Sequence, residues 1–128
     1  MDRNRNVVIK LEDRSFGLRF DQWVLKQTQN KTGSKGVLEM FRRVGLDDGN
    51  IDLNALTILL IEAYNEYTYW AKKNGETQYQ TTSLDERDAS DLIDEMGGML
   101  DALAKISEGL TTYIPKNSEA PPVGANTQ

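Results

Sequence analysis

The sequence predicts an α+β fold, mainly helical, with a short N-terminal β-hairpin packed on four to five helices. Three observations carry that expectation. Val7-Val8-Ile9-Lys10-Leu11 clusters β-branched residues, and Phe16-Gly17-Leu18-Arg19-Phe20 alternates with period two. Oxygen-bearing residues stand just ahead of runs with helical spacing, where helix N-caps belong. The stretch from Leu53 to Lys73 holds 21 residues without Gly or Pro and is rich in Leu, Ala and Tyr. The 128 residues suit one core. Residues 1–114 are expected to form a single globular domain and 115–128 a flexible C-terminal tail.

The elements follow in order. Glu12-Asp13-Arg14-Ser15 supplies the turn between the strands, with Phe16, Leu18 and Phe20 on one face and Gly17 and Arg19 on the other. Two strands alone are barely stable in water, so the aromatic face calls for helices laid against it. Asp21 is placed to cap a first helix that carries Trp23, Val24, Gln27 and Lys31 near one stripe and ends at Thr32-Gly33. Trp23 and Phe20 are then the simplest contact between hairpin and helix. Ser34 is expected to cap a short second helix with a stripe of Val37, Leu38, Phe41 and Val44, stopped by Gly45.

Asp52 caps the principal helix, which closes at Asn74-Gly75. Its main apolar face is Leu53, Leu56, Leu59, Leu60, Ala63, Tyr64, Tyr67 and Trp70, widened by Ile58 and Ile61. Such a wide stripe places this helix at the centre of the core. Ser83 with Glu86 fits a capping box ahead of Leu84, Ala89, Leu92, Ile93 and Met96. Gly97-Gly98 marks a hinge or a tight turn. Met99, Leu100, Leu103, Ile106 and Leu110 make a last helix, frayed at Gly109. Beyond Pro115 the chain is proline-rich and small-polar without periodicity.

Apolar residues make up 38 % of the chain and charged residues 27 %, within the range of globular proteins. There is no cysteine and no histidine. Disulfides, thiol nucleophiles and Cys/His zinc sites are excluded, and so is the side chain best suited to proton transfer near neutral pH. The N-terminus lacks the apolar stretch of a signal peptide, and Glu62, Asn65 and Glu66 interrupt the longest apolar segment. A cytoplasmic, membrane-free protein is therefore expected. The net charge of -5 is uneven: residues 1–35 carry +4, residues 36–75 carry -2 and residues 76–110 carry -7. That polarity suits protein partners or self-association more than nucleic acid.

Three motifs invite chemistry. Asp91 with Asp94 or Glu95, and Asp94 with Asp101, are candidate carboxylate pairs, but they fall on a helix face expected to be solvated. Asp48, Asn50 and Asp52 alternate like the start of a calcium loop, yet the positions that require Gly and Glu hold Leu53 and Leu59. Gly33-Ser34-Lys35-Gly36 has the letters of a phosphate loop without their order. No catalytic, cofactor-binding or metal-binding residue is assigned. Tyr64 and Trp70 read as core, whereas Phe41, Ile58, Ile61 and Tyr69 are the candidate protein-binding residues.

The order of parts is itself informative. A strand pair ends in Phe20-Asp21-Gln22-Trp23-Val24-Leu25, and the Thr32-Gly33 stop and Val37-Leu38-Glu39-Met40-Phe41 follow. Then come the long Leu53–Trp70 helix and an acidic helix with Asp91-Leu92-Ile93-Asp94-Glu95. Over residues 7–106 this layout resembles the small tail assembly chaperones of siphovirus-type phages and related tail components of prophages and gene transfer agents. The resemblance implies a non-enzymatic protein of the bacterial host cytoplasm. It would hold the tape measure protein while tail tube subunits polymerise, and a translational frameshift extends some members near the C-terminus. Two rival classes remain: a structural or connector protein of the virion, and a small DNA-binding regulator using residues 21–44 with Arg42-Arg43.

Overall fold

A computed structural model describes residues 5–118 of the chain, with side chains described through Thr111. Strands β1 (Asn6–Lys10) and β2 (Ser15–Arg19) pair antiparallel, Val7 opposite Leu18, Val8 opposite Gly17 and Ile9 opposite Phe16. Opposed residues in such a ladder share a face, so Val7, Ile9, Phe16 and Leu18 stand together. Ile9, Phe16, Leu18 and the following Phe20 are buried. The second face of β2 is covered too, since Gly17 and Arg19 are also buried. A Cβ on Gly17 would lie 2.5 Å from the Tyr67 ring, so only glycine lets that ring lie on the strand.

Five helices follow: α1 (Gln22–Thr32), α2 (Val37–Arg43), α3 (Leu53–Asn74), α4 (Glu86–Glu95) and α5 (Met99–Ser118). The α+β, mainly helical expectation matches this architecture. Asp21 caps α1 by accepting from the Val24 N–H at 3.1 Å, and Gly33 closes it in the left-handed conformation. Asp52 caps α3 by accepting from the Asn54 and Ala55 N–H groups, and Gly75 ends it. Helix α3 is the hub, packing against β2, α1, α2, α4 and α5. Among the described residues no helix is long and apolar enough to cross a membrane.

Several local expectations need correction. Trp23 is 55 % exposed and does not join Phe20 in the core, because the buried stripe of α1 is Val24, Leu25 and Thr28. The stripe of α2 is also displaced: Met40 and Val44 are buried, four residues apart, and Leu38 faces outward. Leu53 at the start of α3 is exposed. Ser34 does not cap α2; its hydroxyl meets that of Thr32 at 2.7 Å, and Gly36 is the N-cap residue. Nor does Ser83 cap α4. Asp85 does, accepting from the Asp88 N–H at 2.8 Å, so the helix begins two residues later.

The Gly97-Gly98 pair forms a tight turn, both residues at positive φ, with the Gly98 N–H donating back to the Ile93 carbonyl. Gly109 is no frayed end. It is a buried position inside α5, and a Cβ there would overlap the Phe20 ring and approach Val7 Cγ2 to 2.9 Å. Its bareness lets α5 press against the hairpin. The backbone of α5 continues to Ser118, past the expected domain boundary at residue 114. The rest of the expected tail, residues 119–128, lies outside the described residues.

Candidate functional site

Two grooves gather four of the large apolar side chains that folding leaves uncovered, Leu38 with Leu100 and Trp23 with Tyr69. The first lies between α2 and α5, has a volume of about 720 Å³, and is lined by Leu38, Phe41, Leu46, Leu100, Leu103 and Leu110 among others. Leu38 is 78 % and Leu100 66 % exposed, whereas Phe41, Leu46 and Leu103 are half-buried against the core. The local cause is helix phase. Met40 and Val44 take the inward positions of α2, and Ala102, Ile106 and Leu110 those of α5. Leu38 and Leu100 are thus turned outward on neighbouring walls. Arg42 and Asp47 also line the groove.

The second groove, about 520 Å³, is lined by Trp23 of α1 and by Glu62, Asn65, Glu66 and Tyr69 of α3. Tyr69 is 56 % exposed, and Lys73 Nζ stands 4.7 Å above its ring. A hydrogen bond with Tyr69 raises the Lys73 ammonium above its ordinary pKa. Charges are linked beneath this groove. Arg19, largely buried, contacts Asp21 at 3.3 Å, donates to Asn6 Oδ1 at 3.0 Å and lies 5.5 Å from the centre of the Trp70 ring. Lys31 donates to Glu62 Oε2 at 2.6 Å. Burial pushes the Glu66 carboxyl up to about 8, and a hydrogen bond with Asp21 and the charges of Asp21 and Glu62 add to it, against the pull of Arg19.

A buried side chain also ties β2 to α3. The Gln80 amide oxygen accepts from the Gly17 N–H at 2.7 Å, and its Nε2 donates to the Gly17 carbonyl at 3.0 Å and the Tyr64 carbonyl at 3.1 Å. The Gly17 groups turned away from β1 are therefore satisfied by a side chain that takes the place of a third strand. Gln80 lies in a polar stretch whose composition gave no signal of burial.

The four candidate binding residues do not converge. Phe41 lines the α2/α5 groove, Tyr69 lines the aromatic groove, and Ile58 and Ile61 line a more polar depression with Lys31, Arg43, Asp52 and Glu86. Arg42 and Arg43 also part company: Arg43 donates to the Thr32 carbonyl at 2.7 Å and to Glu39 at 3.1 Å. Asp91, Asp94, Glu95 and Asp101 are all exposed. Asp48 accepts from the Asn50 N–H and Asp52 caps α3, so local backbone donors occupy both carboxylates of that loop. Among the described residues no three acidic groups are arranged to hold a metal ion.

Sequence reasoning missed the Arg19–Asp21–Glu66 link, the Gln80 clasp and the exposure of Trp23, Leu38 and Leu100. The spacing of Glu62 and Glu66, one helical turn apart on the face of a buried helix, was the available signal for the first. No protein-family model, curated protein or solved structure matches the chain.

Proposed function

We propose that this chain is a non-enzymatic polypeptide-binding domain that acts as a tail assembly chaperone of the siphovirus type in the bacterial host cytoplasm. Its client would be a tail component such as the tape measure protein. The observation that carries the reading is the α2/α5 groove with Leu38 and Leu100 uncovered on its walls. An amphipathic client helix laid there removes these side chains from water, worth about 2 kcal/mol for each leucine fully covered. Small domains seldom leave such side chains clustered without a use for them.

Leu38→Glu and Leu100→Glu test the idea, because both positions are exposed and the folded core is not touched. Co-expression with a tape measure protein of a siphovirus-type phage should give a soluble complex that either variant weakens at least about tenfold. The melting temperature of the isolated domain should stay unchanged. Undiminished binding by both variants would overturn the assignment of the groove, and a client equally soluble without this chain would overturn the chaperone reading.

A further inference from the structure

We propose that the groove between Trp23 and Tyr69 receives one basic side chain, arginine or lysine, from a partner polypeptide. The site shares no lining residue with the α2/α5 groove, so the inference goes beyond the function proposed above.

Its walls and floor point to the same occupant. Trp23 and Tyr69 come from different helices and each leaves more than half its surface in water, while Glu62 and Glu66 line the same groove. Aromatic faces attract cations, tryptophan most strongly, and the hold strengthens where water is partly excluded. Tyr69 already carries the Lys73 ammonium over its ring, so this ring serves as a cation platform. Charge balance supplies the second argument. Asp21, Glu62 and Glu66 make three carboxyl groups, and among the described residues Arg19 from β2 and Lys31 from α1 engage them. Arg19 is shared with Asp21 and Asn6, and Lys31 is bound to Glu62. Glu66 is left facing the Asp21 carboxylate and holds its proton into the neutral range.

An arriving guanidinium or ammonium supplies the third cation. Glu66 then gives its carboxyl O–H proton to water and pairs with the newcomer as a carboxylate, and no other covalent bond changes. The hydrocarbon stem of the guest meanwhile lies along the rings. An organic cation suits this arrangement better than a metal ion, since the acidic groups do not gather into a metal-holding set among the described residues.

The test uses the full chain and two capped pentapeptides, one with arginine at the centre of four glycines and one with its neutral isostere citrulline. NMR titration follows the indole N–H of Trp23, with buried Trp70 as the internal reference. The arginine peptide should shift the Trp23 signal saturably and leave Trp70 still, and citrulline should bind at least about tenfold more weakly. Affinity should rise roughly tenfold between about pH 6.5 and about pH 8.5 as Glu66 gives up its proton more readily. Glu66→Gln should erase that pH dependence, and Trp23→Ala should lose the binding with no change in melting temperature. Equal binding of the citrulline peptide, or no saturable shift at either pH, would overturn the proposal. Neither result bears on the Leu38 and Leu100 variants, so failure here and failure of the chaperone reading remain distinct.

Discussion

Glu66 couples the stability of the molecule to pH in an unusual direction for a carboxyl group. Its folded pKa is raised from 4.5 to about 8, so the folded state binds the proton more tightly than the unfolded chain. Its contribution is harmless below about pH 4.5, erodes stability as pH rises towards 8, and is constant above that. Glu66→Gln should therefore be more stable than the parent near pH 8.5, by about 1–2 kcal/mol once solvent screening of a half-exposed group is allowed for. The two should melt together near pH 5, and chemical denaturation at both values checks the sign. Gln80 acts at the same scale by different means. Gln80→Ala strips the Gly17 N–H and carbonyl of their partner, and urea unfolding should show a loss of about 2–3 kcal/mol. Beyond the one-turn spacing of Glu62 and Glu66, the sequence marks neither residue: an acid on a long helix and a glutamine in a polar stretch are ordinary until tertiary contacts desolvate them.

Elements were far more legible than the faces they bury. The caps at Asp21 and Asp52 and the stops at Gly33 and Gly75 stand where local chemistry puts them, because an N-cap carboxylate and a left-handed glycine act within one turn. Phase was harder to read. In α1 and α2 the choice of Val24 over Trp23 and of Met40 over Leu38 depends on what each helix meets, and short helices offer too few turns to fix the stripe. Gly109 shows how packing reverses a local preference. In an isolated helix, replacing glycine by alanine gains about 1 kcal/mol. Here the added methyl meets the Phe20 ring and Val7, so Gly109→Ala should lower stability by about 1–3 kcal/mol, read as a fall in melting temperature.

For the whole molecule, one long helix organises everything else. Because α3 meets β2 and all four other helices, its buried positions run nearly around its circumference, and its wide apolar stripe foretold that role. The grooves were not foretold. Each lies between elements distant in sequence, α2 with α5 and α1 with α3, so neither Leu38 beside Leu100 nor Trp23 beside Tyr69 is visible as a motif. The grooves also differ in chemistry, one walled by aliphatic side chains and the other by aromatic rings over carboxyl groups. A partner that presents an apolar helix and, elsewhere, a basic side chain is gripped at two points by such a surface, and each grip can be cut separately by Leu38→Glu or Trp23→Ala.

The glutamine clasp on β2 carries a consequence for biosynthesis. Gly17 and Gln80 are separated by 63 residues, so a ribosome releases the hairpin well before it releases the side chain that seals its outer edge. During that interval the nascent strand exposes bare peptide groups to any neighbouring nascent strand on a crowded polysome. Translation speed through α3 thus sets how long the newborn chain is open to mispairing.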